Sequence, residues 1–334
     1  MRNPLSKTIE QIKPSGIRKF FDIVSEMPHA ISLGVGEPDF DTPWHVRSEG
    51  IRSLEKGRTF YTSNSGLIEL RQEICKWYQR KYNVLYDYKT EALLTVGGSE
   101  GIDVALRAML DPGDEVIIPE PCYVSYVPCV QLIGAVPVTI ELKNENQFRL
   151  TSEELLAAIT DKTKILILAF PSNPTGAVMT KEDLEPIAKI CQEKDIYVIS
   201  DEIYSELTYG GQKHCSISSL PGMKERTIVI NGFSKAYAMT GWRLGYALAP
   251  EVIAHQMTKI HQFAIMCAPT TSQYAAIEAI KNGDADIEKM CKSYDQRRRF
   301  LLKKFEEIGL PCFEPHGAFY VFPCIKEFGM TSDE

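Results

Sequence analysis

Six short runs of apolar, β-branched or leucine-rich residues recur along the chain, separated by stretches of helical periodicity. This alternation constrains the fold more than any other feature. The runs are Ala92–Val96, Glu115–Ile118, Val136–Ile140, Ile165–Ala169, Ile196–Ser200 and Thr227–Ile230, and a further apolar run spans Leu244–Ala249. Helical patterns fall over Leu67–Lys81, Ser99–Leu110, Tyr123–Leu132 and Lys181–Glu193. A strand that is apolar throughout buries both of its faces, so the pattern predicts a mostly parallel sheet covered by helices on each side. Right-handed crossovers bring the C-terminal ends of such strands to one edge, where ligands of open α/β sheets bind. Residues just after each strand are therefore the first candidates for function.

The flanking segments read differently. Residues 8–24 have modest helical amphipathicity, broken early by Pro14-Ser15-Gly16. Ile31–Pro43 is a Gly/Pro/Asp-rich connector, and its Gly34-Val35-Gly36 fits either a surface turn or a backbone passing close to a ligand. Asp286–Ile308 has the spacing of a long amphipathic helix, with Arg297-Arg298-Arg299 on a solvated face. Leu310–Pro323, around GAFYVFP, reads as one or two strands of a second, smaller domain. With 334 residues there is enough chain for a large core and a smaller one. A net charge of −7 argues against a nucleic-acid surface, and no apolar run approaches the roughly 18 residues that span a bilayer. Met1–Lys13 is polar, without the apolar core of a signal peptide. Nine cysteines, an odd number with no CxxC pair, fit free thiols in a reducing cytoplasm. Six histidines without an HExxH pair or a Cys/His cluster give no reason to expect a metal.

The strand ends carry an unusual set of side chains. Gly97-Gly98-Ser99-Glu100-Gly101 opens a helix, with Ser99 placed to cap it, and such a turn offers backbone N–H groups at the positive end of a helix dipole. Glu120-Pro121-Cys122-Tyr123 brings an aromatic ring, and Ser172-Asn173-Pro174-Thr175-Gly176 a turn that presents an amide. Asp201-Glu202-Ile203-Tyr204 supplies carboxylates and a phenol. The stretch from Asn231 to Tyr246 contains Ser234, Lys235 and, eight residues after the lysine, Arg243, a natural bidentate donor to phosphate. Each of these alone also fits a plain role, whether capped turn, core aromatic or surface ion pair. Taken together they match one ligand, pyridoxal phosphate. Its aldehyde takes an amine as a Schiff base, its pyridine nitrogen takes a carboxylate, and its phosphate takes amides and an arginine.

In GEPDFDTP, YTSNSGL, SNPTG, SDEIY and SKAYAMTGWRLGY, in this order, the chain resembles the class I and II aminotransferases, which are pyridoxal-phosphate enzymes of fold type I. The likeness runs over essentially the whole chain. It implies an α/β large domain with a mostly parallel seven-stranded sheet over residues 46–284. Residues 1–45 would form an N-terminal arm and part of the small domain, and 285–334 an incomplete α+β small domain. It implies Lys235 as the covalent anchor and proton shuttle, Asp201 on the ring nitrogen, Asn173 and Tyr204 on the 3-hydroxyl, and Tyr123 against the ring face. Gly98, Ser99, Ser234 and Arg243 would hold the phosphate, with Glu100 in the same cofactor-binding turn and Tyr61 reaching across from the other subunit of a homodimer. Gly36, Tyr123 and Asn173 would line the substrate pocket, and the Asn173-Pro174 bond would be cis. Where some relatives carry a hydroxyl three residues before the lysine, this chain has Gly232. In relatives the small domain continues to an arginine that grips the substrate α-carboxylate, beyond the point reached by Glu334. The activity implied is transamination between an L-amino acid, of aspartate or aromatic type, and a 2-oxo acid. A carbon–sulfur β-lyase on the same cofactor and a non-catalytic binding module are the alternatives.

Overall fold

In a computed structural model, which describes residues 2–14, 27, 29, 33, 34 and 36–329, the alternation becomes a single seven-stranded sheet. Its strands are β1 (Ala92–Thr95), β2 (Glu115–Glu120), β3 (Val136–Glu141), β4 (Thr163–Ala169), β5 (Tyr197–Asp201), β6 (Thr227–Gly232) and β7 (Gly245–Leu248). They lie in the order β1-β7-β6-β5-β4-β2-β3, and only β7 runs antiparallel to its neighbours. The reason is local. Residues 233–244 join β6 to β7 without an α-helix, so the chain returns alongside the strand it has just left. That reversal puts the start of β7 at the edge where the other strands end. Lys235 and Arg243, both in this connection, are thereby brought to the C-terminal edge of the sheet.

Among the described residues the α-helices are α1 (Lys7–Gln11), α2 (Trp44–Glu55), α3 (Ile68–Tyr82), α4 (Gly97–Met109), α5 (Tyr126–Leu132), α6 (Ser152–Ala158), α7 (Lys181–Glu193), α8 (Glu251–Ala264), α9 (Thr270–Asn282) and α10 (Asp284–Glu307). Successive strand residues point to opposite faces, and each face has its own cover. Leu93 packs with Ile102 and Ala105 of α4 and Met257 of α8, while Leu94 packs with Leu70 and Ile74 of α3 and Ala276 of α9. Sequence signals fix several helix ends. Thr151 with Glu154 and Thr180 with Asp183 form capping boxes on α6 and α7, and α3 stops at Asn83, which takes a left-handed φ of 58°.

Some expectations need correcting. Leu310–Pro323 forms no strand; its pairing amounts to isolated bridges, Thr208 with Gly317 and Cys312 with Pro323. Pro311, Pro315 and Pro323 each lack a donor, and the remaining backbone groups bond to loops, such as Gly317 N–H to the Gly176 carbonyl and Ala318 N–H to that of Leu207. The segment is fastened instead by its side chains, in a cluster of Phe319 and Tyr320 with Tyr204, Tyr294 and Phe40. The helix expected over 8–24 begins at Lys7 and ends at Gln11, before Pro14; residues 15–26 lie outside the described residues. Among the described residues no helix is long and apolar enough to cross a membrane.

Candidate active site

The turn expected to seat a phosphate lies where β1, α4 and β7 meet. Thr95 pairs with Gly245, so the turn after β1 lies directly against the start of β7. Glycine is required on both sides of that contact. A Cβ on Gly245 would stand 2.6 Å from the Gly97 carbonyl carbon, and Gly97 itself takes a φ of 75° with the Arg243 guanidinium 2.8 Å from where its Cβ would be. The helix starts at Gly97, two residues earlier than Ser99 suggests, and its N-cap is Val96 with no side-chain cap. Ser99 is exposed in the first turn rather than capping it. The first amides of α4 have no intrahelical partner and meet the guanidinium, a donor set suited to a dianion. Glu100 faces inward: Oε2 accepts from the Val96 N–H, and Oε1 lies 2.6 Å from Nδ1 of His261. At Gly232, where some relatives have a hydroxyl, a Cβ would come within 2.9 Å of the Gly245 Cα, so close pairing of β6 with β7 excludes a side chain.

The amine and the acid lie at the ends of adjacent strands. Asp201 closes β5, level with Ala169 of β4 and Ile230 of β6, and Lys235 follows β6. Asp201 is buried. Its Oδ2 accepts from the Tyr126 hydroxyl at 2.7 Å and its Oδ1 from the Ile203 N–H at 3.2 Å. Burial raises its carboxyl above the usual range, against those two bonds and the Lys235 charge. Lys235 is half-buried, and its Nζ donates to the Gly36 carbonyl while lying 5.4 Å from the Phe319 ring centre and 5.7 Å from that of Tyr204. Burial pushes this ammonium down to about 8, and the Arg243 charge pushes the same way against Glu37 and Asp201. A lysine so placed holds a sizeable neutral fraction near neutral pH, as an amine nucleophile needs.

The residues expected to line the substrate pocket lie beside this pair. Tyr204 is buried, with its hydroxyl 2.6 Å from that of Tyr320, and a Cβ on Gly36 would collide with the same Tyr320 hydroxyl. Tyr123 meets Tyr126 edge-on at 5.6 Å. The Asn173-Pro174 bond is cis, as are Glu120-Pro121 and Phe170-Pro171. Among the described residues the Asn173 amide and the Ser234 and Ser99 hydroxyls have no partner.

The sequence profile of the aminotransferase class I and II family matches residues 28–328. A putative aminotransferase of Bacillus subtilis, YugH, is 52% identical over all of this chain and 86% of its own length. An aspartate aminotransferase of Pyrococcus abyssi is 46% identical over 99% of this chain and 85% of its own. The crystal structure of an aromatic aminotransferase from Pyrococcus horikoshii superposes with a TM-score of 0.90 at 46% identity, covering 94% of this chain and 84% of the other.

This chain belongs to the class I and II aminotransferases. It is a transaminase of fold type I, and pyridoxal 5′-phosphate is its cofactor. The residues present fit that group. A glycine-lined cradle with a guanidinium suits the phosphate, a buried carboxylate suits a protonated ring nitrogen, and an amine of lowered basicity suits the aldehyde. Three parts of the aminotransferase site escape sequence reasoning. Tyr126 bonds Asp201, though its spacing of three from Tyr123 is a signal that both serve one place. Tyr320 lies in the GAFYVFP stretch, which reads as a strand. His261 sits mid-helix on α8, and no local pattern marks it. Tyr61 stands apart from the rest, 81% exposed.

Proposed function

We propose that this aminotransferase exchanges the amino group of an aspartate-type or aromatic L-amino acid with a 2-oxo acid, dividing the work among its strand-end residues. Arg243, the Gly98 and Ser99 amides, the Ser99 and Ser234 hydroxyls and the Glu100 turn would hold the phosphate. Asp201 would hold the ring nitrogen, Asn173 and Tyr204 the 3-hydroxyl, and Tyr123 the ring face. When bound, pyridoxal phosphate supplies an electron sink that acidifies the substrate α-hydrogen. Asp201, steadied by Tyr126, keeps a negative charge on one side of the site. Lys235, as its neutral amine, would anchor the cofactor, and its Nζ is the base that would take and return the substrate α-proton. Gly36, Tyr123 and Asn173 line the space for the amino acid, and Phe319 and Tyr320 help to keep water out. The observation that carries this reading is the placement of Lys235, which follows β6 beside the buried Asp201 that closes the adjacent β5, with burial lowering the basicity of the amine.

The substrate class rests on relatives named for aspartate and aromatic substrates. The division into a large domain over 46–284, with 1–45 and 285–334 contributing to a smaller one, accords with the side-chain cluster that joins Phe40 to Tyr294 and Phe319. A homodimer with Tyr61 donated across the interface is supported by an exposed apolar face. Phe60, Tyr61 and Phe263 are each at least 80% exposed, and Thr270 and Asn64 tie the two segments together. Nine free cysteines support a reducing, cytoplasmic setting. The test is a half-reaction screen of the cofactor-loaded enzyme against single amino acids, read by cofactor absorbance. Aspartate, phenylalanine or tyrosine should convert the spectrum fastest. Fast conversion by a basic or small aliphatic amino acid, with none by these three, would reject the substrate assignment.

A further inference from the structure

The seat for the phosphate already contains an acid. Glu100 stands in the first turn of α4, where a carboxylate and a phosphate compete for the same N-terminal potential. Both of its oxygens, however, are occupied within the protein. Oε2 takes the Val96 N–H, and Oε1 takes Nδ1 of His261, which is 0% exposed and reaches over from α8. The other ring nitrogen, Nε2, is buried and has no partner among the described residues. The carboxylate contact at Nδ1 is thus the one side-chain hydrogen bond of the His261 ring among the described residues.

We propose that His261 is a positioning residue for the cofactor phosphate. Its Nδ1 holds the Glu100 carboxylate against the Val96 amide, which leaves the Gly98 and Ser99 amides and the Arg243 guanidinium to the phosphate. The inference rests on the β1–α4 turn being the phosphate seat. Without His261, one buried carboxylate oxygen loses its partner, and the unpaired donors it can turn to belong to the first turn of its own helix. Damage should then fall on the phosphate and spare the rest of the ligand.

The unsatisfied Nε2 makes the idea sharply testable, because only the δ nitrogen is needed. An asparagine at 261 carries an amide N–H at about the position of Nδ1 and nothing at ε, whereas a leucine carries neither. The experiment titrates the full chain, freed of cofactor, with pyridoxal phosphate and separately with pyridoxal, reading absorbance. His261→Leu should weaken pyridoxal phosphate about tenfold or more, the scale of one lost charge-assisted hydrogen bond, and leave pyridoxal within about twofold. His261→Asn should retain most of the wild-type affinity. The double variant Glu100→Gln with His261→Leu should regain most of what the single leucine loses, because no charge remains to be held. Equal weakening of both ligands, or unchanged affinity for pyridoxal phosphate in a folded His261→Leu, overturns the proposal. Should that variant not fold, His261→Gln set against His261→Asn decides: selective weakening of pyridoxal phosphate by the glutamine, whose amide cannot stand where Nδ1 does, supports the proposal, and equal affinity of the two variants contradicts it. If the wild type binds pyridoxal as tightly as pyridoxal phosphate, the seat itself is wrong, a failure distinct from any difference among the variants.

Discussion

The surroundings of Lys235 have one wall cut from the sheet and another made of loops. Asp201 ends β5, Lys235 and Ser234 follow β6, and the phosphate turn lies between β1 and β7, so ladder hydrogen bonds and buried glycine contacts set their positions. The facing wall, residues 36–42 and 317–322, contains no helix and no named strand. It is held by a few side chains. Thr42 donates to the Ala238 carbonyl at 2.5 Å and accepts from Trp242, Arg297 pairs with Asp39 at 3.1 Å, Phe40 packs edge-on against Tyr294, and Tyr320 meets Tyr204. The difference teaches where substitutions should bite. On the sheet wall they remove chemistry with little change of shape, and on the loop wall they loosen a fit whose individual contacts are each worth about 1 kcal/mol or less.

The largest effect should come from the sheet wall. Lys235→Ala removes the proposed covalent anchor and proton carrier, and transamination should fall by about 10⁴-fold or more. A variant that stays active and retains the cofactor's bound absorbance breaks the assignment. Asp201→Asn removes the charge while keeping the shape and the Tyr126 contact, and should cost about 10²–10³-fold in kcat. A loss below tenfold would mean that the acid does not serve the ring. On the loop wall, Tyr320→Phe deletes one hydroxyl from the Tyr204 pair, and kcat/KM should drop about fivefold, in keeping with roughly 1 kcal/mol. A loss as great as that of Asp201→Asn would erase the contrast between the walls.

The smallest effect lies outside both walls. His45 of α2 joins Glu278 of α9 at 2.8 Å and Asp286 of α10 at 2.9 Å. Burial pushes its pKa down, but the hydrogen bonds to Asp286 and Glu278 outweigh that and raise it above the ordinary value near 6.5. The folded state therefore binds this proton more tightly than the unfolded chain. Its contribution is fully present below about pH 6.5 and is lost as pH rises through the raised folded value. Replacing His45 with Gln should lower the thermal midpoint modestly at pH 6 and scarcely at pH 9. An equal loss at both pH values would show that packing, not charge, is at work.

What the sequence revealed follows the same division. Strands apolar on both faces are legible because burial on each side leaves polar residues no place, and the ends of those strands then named Asp201, Tyr204, Lys235 and Arg243 before any geometry. The antiparallel β7 was less legible, since an apolar run carries no direction; only the absence of a helix between β6 and β7 implies it. Leu310–Pro323 misled for a related reason. Its alternating aromatics imitate a strand, but they are fixed by long-range contacts to Tyr204 and Tyr294 that no local window contains. The pairing of His261 with Glu100, 161 residues apart, lies beyond a local reading on the same ground.

The central claim is that Lys235 is an amine made reactive by its burial at the edge of the sheet. The direct measurement is the rate at which the cofactor-free enzyme captures pyridoxal phosphate, followed by absorbance from pH 6 to 11. The structure predicts a rate that climbs with pH, reaches half its limit near pH 8 and is flat above. A rate still rising beyond pH 10, as for a solvated lysine, would contradict it.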